Sequence, residues 1–398
     1  VAVSTGSPPR ARADLKGLLY RPEVRQIVWQ VALLAVLGFA AYWVVANVAA
    51  NLRRQNIASG FDFLGRISGF DVAQSLIEYT NVSTYGRAFW VGLLNTLLVA
   101  ALGIVSATVL GFVVGIARLS SNWLIAKLAA AYVEIVRNIP LLLQLFFWYY
   151  AVLKNLPAPR QSYTLPGGAF FNVRGLYIPA PVFQPGFEMV VGALVAGIAT
   201  TIALRWWAWR RQMLTGQRLP LLWPSLALLL GLPLLAYFAA GSPATLDFPE
   251  LRGFNFQGGL GVQPELIALL LGLAIYTASF IAEIVRAGIL AVAKGQTEAA
   301  QALGLSRGQV LRLVIVPQAT RIIIPPLTNQ YLNLTKNSSL AVAIGYPDFV
   351  SIFAGTVLNQ TGQAVEVILM TMGVYLALSL ITSLFMNWFN RRMALVER

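Results

Sequence analysis

Apolar residues in this chain run in long, nearly unbroken stretches rather than alternating with polar ones. Eight stretches approach or exceed the roughly 20 helical residues needed to cross a hydrocarbon core of about 30 Å. They are Gln26–Val48, Ala88–Ala117, Trp123–Leu153, Phe187–Leu204, Leu221–Ala240, Pro264–Ala293, Ile322–Ala343 and Ala364–Phe389. The third contains Pro140. Proline removes a backbone donor, so a kink or two short helices is expected there. The seventh carries Pro325-Pro326 near its start and polar Asn329, Asn333, Lys336 and Asn337.

Composition agrees with this pattern. The 398 residues are 58% hydrophobic and only 11% charged, against about 25% charged in a soluble domain. Mean hydropathy is +0.69. The chain reads as an integral membrane protein. It has no Cys and no His. That excludes thiol chemistry, disulfides and the commonest zinc ligands. It also removes the side chain most used for proton transfer near neutral pH. The net charge of +14 does not imply nucleic acid, because the basic residues gather at the ends of apolar stretches, where they report topology. With the N-terminus in the cytoplasm, 18 of the 29 Lys and Arg fall inside and 8 outside. The excess predicts N-in and C-in. Residues 1–25 read as a cytoplasmic tail without order, rich in Pro, Ala, Arg and Gly. Ala46-Asn47-Val48-Ala49-Ala50 has the look of a cleavage site. The apolar run before it is longer than the 7–15 residues of a signal peptide, which favours an uncleaved anchor. Two long outside loops follow, 49–87 and 154–186, the second dense in Pro and Gly. They are plain connectors or a dock for an extracytoplasmic partner.

One polar loop lies between the sixth and seventh stretches. Glu298-Ala299-Ala300 is followed by Gly304, and then by Val314-Ile315-Val316-Pro317. Glu298–Ala302 is a strong helix former, Gly304 a break, and Ser306–Val316 a second helical piece. This pattern resembles the EAA loop of permease subunits of bacterial ABC importers, with Val at both aliphatic positions before the proline. Other segments extend the resemblance to the polar amino acid permease family: Gly92–Leu97, Tyr132–Phe147, Ala282–Ile289, Lys294–Gln296, Pro317–Ala319, Pro325–Gln330, Lys336–Leu340 and Ile344-Gly345.

The resemblance implies an all-α membrane protein of about eight transmembrane helices with a type I ABC importer permease-like core. The core would occupy 88–153 and 264–389, with the EAA loop at 294–318 and a cytoplasmic terminus at 390–398. An additional helix at 26–48, a periplasmic loop at 49–87 and an inserted region at 154–263 would surround it. Length and span count resemble the subfamily that imports general L-amino acids, acidic and amide ones included. The implied partners are two ATPase subunits, a second and non-identical permease, and a periplasmic amino acid-binding protein, all in a lipid membrane. No nucleic acid and no cofactor on this chain is implied; ATP and Mg would sit on the ATPases. The sequence agrees, since it holds no P-loop and no Gly-Lys dipeptide. Glu298, Ala299, Ala300, Gly304 and Pro317 are the coupling residues that the resemblance assigns, in an inner-membrane, multi-pass subunit that performs no bond chemistry.

Charges inside the spans are the remaining signal. Glu134-Ile135-Val136-Arg137 and Glu283-Ile284-Val285-Arg286 repeat one tetrapeptide, and i, i+3 spacing puts each pair on one helix face. Counting about 1.5 Å per residue to Trp123 and Lys294 puts both Glu near mid-membrane, roughly 16 Å deep. Such ions either neutralise each other and fix packing, or line a polar cavity that meets a zwitterionic amino acid. Asn329, Asn333 and Asn337 form one stripe at i, i+4, with Lys336 beside it. A polar stripe must face protein or a water path. Asn95 and Gln144 are further polar residues in the second and third spans. The alternative is an ion-coupled secondary transporter using Glu134 or Glu283, against which the Glu-Ala-Ala loop argues. A membrane-embedded enzyme is disfavoured without His or Cys.

Overall fold

The structure is a computed structural model that describes residues 22–54, 59–217 and 219–393. Most of the expected tail lies outside the described residues. Residues 22–25 do not belong to a tail but to the first helix, α1 (Pro22–Arg54). The core begins with α2 (Tyr85–Ala117), capped by Thr84, whose hydroxyl accepts from the Arg87 amide. Next come α3 (Trp123–Asn138), capped by Asn122, and α4 (Leu141–Phe146), which runs on through a π-helical turn to Val152 and a short 3-10 turn to Asn155. The inserted region holds β1 (Tyr163–Leu165), β2 (Ala169–Asn172), β3 (Gly175–Ile178) and β4 (Ala180–Phe183). It continues with α5 (Phe187–Thr215), then α6 (Leu222–Leu226) joined by a π-helical turn to α7 (Leu232–Ala239). Strands β5 (Ala244–Asp247), β6 (Glu250–Arg252), β7 (Asn255–Gln257) and β8 (Leu260–Val262) close it. The rest is α8 (Pro264–Leu290), α9 (Lys294–Ala302), α10 (Arg307–Val310), α11 (Val316–Asn337), α12 (Leu358–Thr361) and α13 (Ala364–Met393).

Among the described residues, seven helices are long and apolar enough to cross a membrane, and α3 with the α4 segment makes an eighth if the bent pair is one span. The bend is 105°, at the expected Pro140. Proline there leaves carbonyls of the preceding turn without donors. Gln144 supplies them: its buried amide donates to the carbonyls of Val136 (2.9 Å) and Ile139 (3.0 Å).

The all-α expectation describes the spans, but short strands lie between them. β1-β2-β3-β8 form one antiparallel sheet, and β4 pairs with β5. β8 follows the α5–α7 hairpin in sequence and β3 precedes it, so Leu176 opposite Val262 and Ile178 opposite Leu260 clamp the two ends of the hairpin. Hydropathy does not announce these strands, because each has only three or four residues.

The helix α8 is the most buried span, whereas none of the α1 span is buried. Three apolar clusters share α2 and α8 or the segments beside them. One joins Val99, Leu145, Tyr149, Leu269, Leu273 and Tyr346. A second, at the strand end, joins Phe63, Tyr85, Val91, Phe349 and Phe353. The third joins Ala107, Ile281, Val285, Ile323 and Leu334. Asn95 locks the second cluster to the first: its amide donates to the carbonyls of Gln74 (2.8 Å) and Pro347 (2.9 Å).

Small residues let α2 and α8 approach. A Cβ on Gly111 would stand 2.6 Å from Ile281, and one on Gly115 would stand 2.7 Å from the Ala282 carbonyl and 2.8 Å from Val285. We predict that Gly115→Val forces the helices apart at a cost of about 1–3 kcal/mol, read as a lower thermal midpoint of the purified chain. Gly373→Ala, where a Cβ meets nothing within 4 Å, should leave the midpoint unchanged.

Candidate functional site

Where α2 ends, its first non-helical residue, Arg118, pairs with Glu283 of α8. Glu283 also holds its own Arg286, Nη2 to Oε1 at 2.6 Å and Nε to Oε2 at 3.3 Å. One carboxylate thus bridges two guanidiniums, a charge-assisted arrangement that fixes all three side chains. The second tetrapeptide behaves differently. Among the described residues, neither Glu134 nor Arg137 has an ion-pair partner, and both are exposed. Arg137 instead stacks over the Phe280 ring, 4.8 Å from its centroid. The repeat in sequence is therefore not a repeat in structure. Self-neutralisation describes Glu283 with Arg286 and does not describe Glu134 with Arg137.

These groups meet around one cavity of about 380 Å³, lined by Arg118, Val133, Glu134, Arg137, Asn138, Phe280 and Glu283. Its wall carries two acids and two bases with an aromatic face between them. Charges of both signs therefore face one space. The depth differs from the sequence count. The helix α8 ends at Leu290 rather than Lys294, so Glu283 lies about 10 Å from its end. That end is the one where α2 stops, while the count for Glu134 from Trp123, where α3 starts, is unchanged.

The polar stripe of α11 lies elsewhere. Asn329 and Asn333 are exposed and Asn337 is half-buried. Lys336, exposed, lines a second cavity of about 400 Å³ with Ser339, Val350, Tyr375, Leu376 and Ser379. The Tyr375 hydroxyl donates to the fully buried Asp348 at 3.2 Å, and burial pushes the Asp348 carboxyl up to about 7. Asn95 and Gln144 line neither cavity; both spend their amides on backbone carbonyls. Sequence reasoning missed Arg118, Asn138, Phe280 and Asp348. Arg118 carried a usable signal, since a base at the end of one span and an acid near the end of another can meet.

The loop that follows α8 folds as expected. The nine-residue helix α9 buries Ala300 and exposes Glu298 and Ala299. Gly304 closes it in the left-handed region at φ +80°, donating its amide to the Gln301 carbonyl. Ser306 then caps α10 in a reciprocal capping box with Gln309, and Pro317 sits in the first turn of α11. Leu303 is 82% exposed at the tip, an apolar side chain left for a neighbour.

Residues 107–395 match the family described as the binding-protein-dependent transport system inner membrane component. The chain belongs to this family, whose members are multi-pass permease subunits of bacterial inner-membrane transporters. It is 55% identical over 385 residues to the general L-amino acid transport system permease protein AapQ of Rhizobium johnstonii, covering 97% of this chain and 96% of that one. It is 56% identical over 391 residues to the putative amino-acid ABC transporter permease protein YhdX of Escherichia coli, covering 97% and 99%. It is 41% identical over 422 residues to the glutamate/glutamine/aspartate/asparagine transport system permease protein BztB of Rhodobacter capsulatus, covering 98% and 99%.

The bridged carboxylate sets an ordering among variants. Glu283→Gln leaves two guanidiniums without a counter-charge, whereas Arg118→Gln leaves one intact pair. We predict that Glu283→Gln lowers stability by up to about 3 kcal/mol, reduced from the fully buried case because the groups are partly solvated. Arg118→Gln should cost less than half as much, and adding it to Glu283→Gln should recover part of the loss. Thermal unfolding of the four proteins in one detergent checks the order.

Proposed function

We propose that this chain is the permease subunit of an ATP-driven importer of L-amino acids, general in range and including acidic and amide side chains. The observation that carries the reading is the cavity beside α8, where Glu134 and Arg137, without ion-pair partners among the described residues, face a fixed Arg118–Glu283–Arg286 cluster. A zwitterion can exchange its water for opposite charges already held apart by the helices, without either charged end being left bare in a poor solvent. The names of the long relatives support the substrate class. Asn329, Asn333, Lys336 and Asn337 supply a second polar surface along the same path. Their exposure suits a face covered by a second, non-identical permease.

The coupling role belongs to Glu298, Ala299, Ala300, Gly304 and Pro317. An exposed acid and an exposed small residue on a short helix, with the bare Leu303 at its end, make a knob for an ATPase groove. Two ATPase subunits would bind ATP and Mg. The basic-residue excess supports a cytoplasmic placement of this loop and of both termini. The strand end then faces the periplasm and an amino acid-binding protein. In that arrangement 88–153 and 264–389 form the core, and 26–48 and 154–263 are additions.

Uptake of glutamate or glutamine by cells carrying the full transporter tests the reading. Depleting ATP while keeping the proton gradient should stop uptake, whereas collapsing the gradient with ATP present should leave it; the reverse pattern would establish an ion-coupled carrier. Within the loop, a β-branched residue resists the left-handed conformation that Gly304 adopts, by about 1–2 kcal/mol, while Asn tolerates it. Gly304→Val should abolish uptake and Gly304→Asn should retain most of it, with equal amounts of chain in the membrane by immunoblot.

A further inference from the structure

The hairpin of α5 with α6 and α7 stands apart from the core. None of its residues enters the three apolar clusters. The packed face of α5 is a row of small residues, with Gly197, Thr201 and Ala208 buried. A Cβ on Gly197 would stand 2.5 Å from the Leu228 carbonyl. Most of the rest of the α5 circumference is exposed among the described residues.

That free circumference changes character at one end. The helix α5 has 29 residues, about 43 Å at the helical rise, and so overruns a hydrocarbon core of about 30 Å. The overrun begins near Arg205 and holds Trp206, Trp207, Trp209, Arg210 and Arg211. The three Trp are each about half exposed. Spacing of i, i+4 pairs them with the three Arg: 206 with 210, 207 with 211, and 205 with 209. Two pairs stack, Arg210 at 4.0 Å over Trp206 and Arg211 at 5.5 Å over Trp207. No carboxylate lies within 4.0 Å of the three guanidiniums among the described residues. The sequence contains no acidic residue from Met189 to Leu246. A guanidinium stacked by its face keeps its edge, with the N–H fork, free for an oxyanion.

We propose that Arg205, Arg210 and Arg211, with Trp206, Trp207 and Trp209, form a binding surface for anionic phospholipid headgroups. The Trp rings lie at the headgroup level, where amphipathic rings are favoured. The three cations with no acidic counter-charge take the phosphates. The hairpin is thereby an anchor held by lipid chemistry rather than by core packing. A purely topological role for these charges needs no retained lipid, so the two readings separate by experiment.

The full chain is equilibrated in vesicles of equal phosphatidylglycerol and phosphatidylcholine, extracted in mild detergent, and its retained lipids are counted by native mass spectrometry. The wild type should retain phosphatidylglycerol over phosphatidylcholine. Each base near an anionic surface strengthens attraction roughly fivefold. The triple variant Arg205→Gln, Arg210→Gln, Arg211→Gln should therefore lose retention by well over an order of magnitude, while Arg307→Gln with Arg312→Gln, two exposed bases with no ring contact among the described residues, loses far less. If the triple variant fails to insert, Trp206→Ala with Trp207→Ala keeps every charge and should still lower retention several-fold. Equal retention of both lipids by the wild type, or unchanged phosphatidylglycerol on the inserted triple variant or on the Trp pair, overturns the proposal.

Discussion

The close approach of α2 and α8 is the contact on which the rest depends. Two glycines on α2 bring its backbone against Ile281, Ala282 and Val285. In lipid there is no hydrophobic gain from pressing one apolar helix on another, so packing at short range is what holds the pair. That register delivers Arg118 to Glu283. With Glu283 fixed on both sides, Phe280 three residues before it is presented to Arg137, and the cavity has its wall. A shift of α8 by one residue would move all of these groups to other faces of the helix.

The same helix joins the cavity to the loop. From Glu283 the chain runs seven more residues to the end of α8 and enters α9 after three. Gln318 at the start of α11 reaches back to Gln296, and Ala319 and Ile323 pack on α8 in the third cluster or beside it. A displacement imposed on α9 therefore reaches the ion cluster through one rigid helix and one packed neighbour. In the function proposed above, that would be the mechanical link between ATP hydrolysis on other chains and a path through this one.

Much of this was legible in the sequence, and the rest was hidden for physical reasons. Spans declare themselves because lipid tolerates only long apolar helices. Pro140 declared the bend, and Gly304 and Ser306 declared the joints of the loop, because each acts through its own backbone. The paired tetrapeptides were visible, but their difference was not. Whether Glu134 pairs with Arg137 depends on what stands opposite, and Phe280 reaches the guanidinium from another helix. Arg118 read as a topological charge, since nothing local in its surroundings points to α8. Gln144 read as a polar group in a span; its partners are carbonyls freed by Pro140, a compensation seen only once the chain has bent. The strands were invisible because each is only three or four residues long, and two of their pairings, β3 with β8 and β4 with β5, join segments separated by the whole α5–α7 hairpin.

The central claim is that the cavity between α3 and α8 lies on the path of the amino acid and changes exposure as ATP turns over. The chain lacks Cys, so Asn138→Cys places one thiol at that cavity. Its rate of reaction with a membrane-impermeant thiol reagent, in the complex reconstituted with Cys-free partners, is the most direct measurement. We expect glutamate or glutamine to slow the reaction, and ATP to change the membrane side from which it proceeds. A rate indifferent to both amino acid and ATP would contradict the account.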